Sequence, residues 1–78
     1  RLDKYLKVSR LIKRRTVANE ACDAGRVMIN DRPAKASADV KAGDKITISF
    51  GNKDVSVEVL SVQETVRKEE AKEMFRYL

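Results

Sequence analysis

The chain has no histidine, no tryptophan, one cysteine, one proline and three glycines among its 78 residues. Each scarcity excludes something. Without histidine, the commonest general base and the commonest metal ligand are gone. Cys22 alone can neither close an intrachain disulfide nor build a zinc site, which suits a reducing compartment. Gly25, Gly43 and Gly51 stand singly, so there is no phosphate-cradling glycine loop. No apolar run approaches the ~20 residues of a membrane span, and the N-terminus lacks the apolar core of a secretory signal. The sequence opens on Arg1, so an initiator Met has been removed or lies upstream. Carboxylate neighbours such as Glu69 and Glu70 lie in a charge-alternating stretch, where a solvated surface explains them better than acid–base work. The expectation is a protein that is not an enzyme, with no cofactor and no metal.

What is present is charge, unevenly placed. From Arg1 to Arg15, seven basic residues stand against the single acid Asp3, giving +6. From Thr16 to Leu78, ten basic residues stand against eleven acidic ones, giving −1. A nearly neutral body thus carries one strongly positive end, which selects for a polyanion. The apolar fraction of 42% and the scarcity of glycine and proline favour a compact fold over disorder, and this length allows one domain with a small core. With four aromatics in all, that core must come from Leu, Ile, Val and Ala.

Periodicity divides the chain. Leu2, Tyr5 and Leu6 recur at helical spacing, predicting a helix from about Leu2 to Val8, with Asp3 suited to the positive end of its dipole. A tight connection over Ser9 to Lys13 turns Leu11 and Ile12 inward. Thr16 is a natural N-cap for a second helix, whose stripe is Val17, Ala18, Ala21 and Cys22, with Asn19, Glu20 and Asp23 facing water. Cys22 on that stripe reads as a small core residue. Gly25 stops the helix. The period then becomes two: Val27 and Ile29 inward, a turn at Asn30-Asp31-Arg32-Pro33, and a short return strand at Ala34 to Ala36. A second turn at Ala42-Gly43-Asp44 leads to a strand from Lys45 to Phe50 with Ile46, Ile48 and Phe50 inward. Gly51 to Asp54 closes a hairpin onto Val55, Val57 and Val59. Beyond Thr65, a plausible cap, Ala71, Met74, Phe75 and Leu78 share one face of a final helix. That face is expected to pack on the sheet; the alternative is a docking surface for a protein partner.

Arginines and lysines on two short helices can neutralise phosphates, and each guanidinium fork can grip two phosphate oxygens. Tyr5 is the one aromatic close to the cluster in sequence, so stacking of single-stranded bases is disfavoured, and structured RNA recognised by backbone and shape fits better. The second helix is acidic or apolar past Thr16, a poor reader of a DNA major groove. The apolar face of the first helix is committed to the core, which argues against a membrane.

Set out in order, Arg1-Leu2-Asp3, Leu6, Ser9-Arg10, Arg14-Arg15-Thr16, Gly25-Arg26-Val27, Ile29-Asn30, Val40, Gly43-Asp44 and Ile46 resemble the S4 RNA-binding domain family. Within it, the run to Glu20 together with GRVMIN, PAKAS, FGNKDVSVEVL and the KEEA segment resembles the small stand-alone bacterial S4 proteins, which include the heat-shock-induced S4 protein of enterobacteria. The resemblance implies an α+β fold of S4 (alpha-L) type: two N-terminal helices on a small, mostly antiparallel sheet, with the S4 domain over 1–63 and a C-terminal helix over 64–78. It implies an RNA face on the first helix, the start of the second and the loop between. By position this assigns Arg1, Lys4, Lys7, Arg10, Lys13, Arg14 and Arg15 to RNA binding, with Arg26, Asn30 and Lys35 as extensions. Asp31 stands where the family commonly has Gly. Leu2, Leu6, Val17, Ala21, Val27 and Ile29 are expected to be scaffold.

The resemblance further implies a cytoplasmic, ribosome-associated monomer that binds large-subunit ribosomal RNA and the tRNA of an obstructed peptidyl-tRNA. Its implied role is in quality control of stalled nascent chains, beside a separate tRNA-recruiting factor. The other reading open to an S4 domain is an RNA-gripping accessory domain of an RNA-modifying enzyme such as a pseudouridine synthase. If phosphates are the target, log K for RNA should fall by ~0.7–0.9 per contact for each log unit of salt. A salt titration of binding checks this, and a flat response would contradict phosphate recognition.

Overall fold

The computed structural model describes residues 1–63 and 67–78. Two helices, α1 (Leu2–Val8) and α2 (Arg15–Asp23), precede the strands β1 (Val27–Ile29), β2 (Arg32–Pro33), β3 (Lys45–Phe50) and β4 (Lys53–Val59). A single helical turn, α3 (Lys68–Ala71), and a last strand, β5 (Phe75–Tyr77), complete the chain. The strands form one antiparallel sheet in the order β2-β1-β3-β4-β5. Leu2, Tyr5 and Leu6 of α1 and Ala18 and Cys22 of α2 share a core with Val27, Ile46, Ile48, Val57 and Val59 of the sheet. This is the expected α+β architecture, and the bounds of α1 and β3 match the sequence reading.

The N-terminus of α1 shows why the loop after β2 is built from small residues. The first amides of a helix lack intrahelical partners. Here Leu2 N–H donates to the Ala38 carbonyl at 2.8 Å and Asp3 N–H to the Ala36 carbonyl at 3.1 Å. Lys4 N–H donates to the Asp3 carboxylate at 2.9 Å. Ala36 is buried, and a larger side chain there would push the loop off the helix end. The return strand expected at Ala34 to Ala36 is therefore a loop, and the paired segment lies two residues earlier, at Arg32–Pro33.

The β1–β2 connection has two residues, since Ile29 pairs with Arg32. Asn30 and Asp31 both take positive φ, 52° and 67°, the signature of a type I′ hairpin turn. The turn thus keeps its left-handed pair although Asp31 replaces the glycine such turns favour. Asn30 braces it: its amide nitrogen donates to Asp44 Oδ1 at 3.1 Å and its amide oxygen accepts from Lys45 N–H at 3.0 Å.

Four further expectations are corrected. Thr16 does not cap α2: the helix opens at Arg15, with Arg14 as an extended N-cap that makes no side-chain capping bond. Starting there, α2 buries only the narrow row of Ala18 and Cys22, and Val17, about 100° round the helix from Ala18, is 48% exposed. Phe50 is exposed as well, because it sits in the last ladder pair before the Gly51 turn, where the sheet ends.

The fourth correction is the largest: the segment expected as a terminal helix is one turn followed by a strand. A seven-residue β4 presents a second edge of unpaired amides and carbonyls, and Phe75–Tyr77 occupies it. Spacing by two then governs this stretch. Phe75 turns to the core, while Leu78 falls on the opposite side and is exposed. Ala71, Met74 and Phe75 are buried, which removes the reason to treat that stripe as a docking surface. The expected cap Thr65 lies outside the described residues.

Two substitutions in the β1–β2 turn should act in opposite directions. Asp31→Gly should raise stability by about 0.5 kcal/mol, because glycine adopts positive φ without strain. Asn30→Gly should lower it by about 1 kcal/mol through loss of two hydrogen bonds. Urea midpoints at unchanged m-value check both.

Candidate nucleic-acid interface

Asp3, the one acid of the positive end, is its organising centre. Its residue is 2% exposed, yet its carboxylate is fully partnered. Oδ1 accepts from Arg1 Nε at 3.3 Å and from Lys4 N–H at 2.9 Å. Oδ2 accepts from Arg15 Nε at 3.2 Å and from the Asn19 amide at 3.5 Å. A buried carboxylate is costly unless it is paired and hydrogen-bonded, and here both oxygens are. Burial alone would raise its pKa. The hydrogen bonds from Arg15 and from Lys4 N–H, with the charges of Arg1 and Arg15, outweigh that and hold it below the ordinary carboxylate value.

The consequence falls on the arginines. Each uses Nε to hold one carboxylate oxygen, and the guanidinium is about half exposed, 52% for the Arg1 side chain and 48% for that of Arg15. The two guanidinium groups are therefore held on either side of one buried anchor, on side chains that stay about half exposed. Less rotamer freedom remains to be lost when a phosphate binds. An open groove runs over this anchor, lined by Arg1, Asp3, Arg15, Thr16, Asn19 and Glu20.

The other expected RNA-binding residues are distributed unevenly about that groove. Lys4 is half-buried on α1, and Lys7 is exposed in the last turn of the same helix. Arg10 is exposed with φ 65°, in the left-handed position that terminates α1. Lys13 and Arg14 are exposed on the approach to α2. Lys35 is exposed and adjoins Ala36, whose carbonyl caps α1. Arg26 is exposed but lies past the far end of α2, the length of a nine-residue helix from Arg15. Asn30 has its side chain committed to Asp44 and Lys45 and does not line the groove.

Three groove residues escaped the sequence reading, which set Asn19 and Glu20 facing water and gave Thr16 to a helix cap. Their spacing at i, i+3 and i+4 from Thr16 was the available signal: one face of α2, next to Arg15. Tyr5, by contrast, is unavailable to RNA. It is 2% exposed and its hydroxyl donates to the Met74 carbonyl at 2.7 Å. Burial pushes its pKa up to about 12. Burial, with the nearby charges of Asp3 and Asp23, pushes the Cys22 thiol up to about 11, in keeping with an inert core residue. Among the described residues no cluster of His, Cys, Asp and Glu could hold a metal ion, and no helix is long and apolar enough to cross a membrane.

A small antiparallel sheet backed by two short helices, with paired arginines on their N-terminal turns, defines a class of RNA-binding module. The S4 domain family matches residues 1–46, and the chain belongs to that family. Within it, the chain is 58% identical over 78 residues to the RQC P-site tRNA stabilizing factor of Bacillus subtilis (strain 168), covering all of this chain and 91% of that protein. It is 51% identical to the protein of the same name from Streptococcus pneumoniae, over all of this chain and 89% of that one. Among solved structures, the trimeric Heat Shock Protein 15 of Vibrio cholerae superposes with a TM-score of 0.92 at 30% identity, covering all of this chain and 80% of its own. The family resemblance read from the residues is borne out, and so is the fold class.

Asp3→Asn should lower stability at neutral pH by about 2 kcal/mol, the scale of hydrogen bonds to a charged group. Because the folded pKa of Asp3 is depressed, its contribution is present above the ordinary carboxylate range and is lost as pH falls through the folded value. The difference between wild type and variant should therefore shrink as the solution is acidified, read from urea midpoints at several pH values.

Proposed function

We propose that this chain is a non-catalytic RNA-binding factor that sits on the large ribosomal subunit, contacts ribosomal RNA and the tRNA of a peptidyl-tRNA, and acts in quality control of stalled nascent chains. Its place of action on this reading is the cytoplasm, on the ribosome, beside a factor that recruits tRNA. The observation that carries the RNA-binding part is the pair of guanidinium forks held by buried Asp3. A site so arranged offers several N–H donors to phosphate oxygens. The ribosomal assignment is supported by full-length similarity to proteins named RQC P-site tRNA stabilizing factor. Lys7, Arg10, Lys13 and Arg14 extend the basic surface along α1 and the loop to α2, and Lys35 adds to it from the loop that caps α1. Arg26 and Asn30 act, on this reading, outside the central contact.

Arg15→Ala and Arg1→Ala should each reduce co-sedimentation with large subunits by about tenfold, the scale of one charge-assisted fork. The measurement is the fraction of protein in the large-subunit peak of a sucrose gradient, for variants that keep the wild-type circular dichroism spectrum. Unchanged association in the double variant would exclude the arginine pair as the anchor.

A further inference from the structure

The groove over Asp3 is not purely cationic. Arg1 and Arg15 are balanced by Asp3 and Glu20, so its lining carries no net charge although it lies in the most positive part of the chain. Asp3 is accounted for as the anchor of the two arginines. Glu20 is not: it is exposed, and no hydrogen bond or ion pair joins its side chain to any described residue. An unpaired carboxylate beside a phosphate site weakens phosphate binding by like-charge repulsion, unless the ligand also presents hydrogen-bond donors.

Thr16 stands one turn before Glu20, four residues earlier on the same helical face, and lines the same groove. Its hydroxyl is likewise exposed, with no partner among the described residues. Together the two side chains offer a donor and a two-oxygen acceptor in a row. A carboxylate accepts from two adjacent N–H groups at once. On the Watson–Crick edge, guanine alone of the four RNA bases sets two such donors side by side, N1–H and N2–H, next to an acceptor, O6.

We propose that Thr16 and Glu20 read the Watson–Crick edge of an unpaired guanine, Thr16 donating to O6 and Glu20 accepting from N1–H and N2–H, while an adjoining phosphate lies on Arg1 and Arg15. This rests on the RNA-binding reading above and deepens it, changing the groove from a backbone clamp into a nucleotide site. Unpaired bases in loops are where proteins read RNA sequence, since the Watson–Crick edge is free there.

Fluorescence anisotropy with three RNA hairpins tests this, the stems identical and one loop position carrying guanosine, inosine or adenosine. Inosine keeps N1–H and O6 but lacks the 2-amino group. The wild type should bind the guanosine hairpin roughly tenfold tighter than the adenosine one, with inosine between, the usual scale of a two-point base contact. Glu20→Gln should bind all three alike, at about the wild-type adenosine affinity, and Thr16→Val should lose part of the preference. Equal wild-type affinity for the three hairpins overturns the proposal and leaves RNA binding intact. So does a Glu20→Gln variant that binds every hairpin more tightly, which is what removal of a merely solvated negative charge would do. Failure of the wild type to bind any hairpin, with Arg15→Ala no different, would instead sink the RNA-binding reading itself.

Discussion

A single buried carboxylate holds the positive end together. Asp3 is surrounded by basic residues that would otherwise repel one another, and it converts two of them into fixed directions. Its four donors come from α1, from the residue before α1 and from the first two turns of α2. It therefore also ties the two helices to each other at their N-terminal ends. A surface pair of similar length would contribute little, because solvent screens it and both side chains lose freedom. Here only the cations are exposed. The buried partner cannot relax into water, so the geometry is maintained from below.

The rest of the fold supplies the platform. Ala36 and Ala38 satisfy the first amides of α1 and so tie the loop after β2 to the start of the helix that carries Asp3. Asn30 and Asp44 fasten that hairpin to the start of β3. Ala18 and Cys22, both small, allow α2 to lie close to α1 and the sheet. The polar contacts thus form two clusters, one at the β1–β2 turn and one at the start of α1, with the apolar core alongside them.

Most of this could be read from residue order, and the exceptions have physical reasons. α1, β3 and the alternation of β4 follow from local periodicity, which depends on nearest neighbours along the chain. Asp3 was legible as a helix-end carboxylate but not as the anchor of Arg15 and Asn19, because those contacts span 12 and 16 residues. The C-terminal segment misled for a related reason. Ala71, Met74, Phe75 and Leu78 satisfy helical spacing, while the demand that decides their structure, the open edge of β4, arises elsewhere in the sequence. Thr16 and Glu20 fell outside the expected site because each has an ordinary local explanation, a cap and a solvated acid, that the groove replaces.

The bond between Tyr5 and Met74 closes the molecule on itself. Its two ends are 69 residues apart, and the Met74 carbonyl that receives it also takes the amides of Leu60 and Ser61. The residue just before the last strand is thus tied to the helix that carries Asp3. Contacts of such long range form only once nearly the whole chain is available. The platform under the basic helix is therefore completed by a segment 69 residues away in the sequence. A chain cut short before Met74 would keep the charge of residues 1–15 and lose this contact.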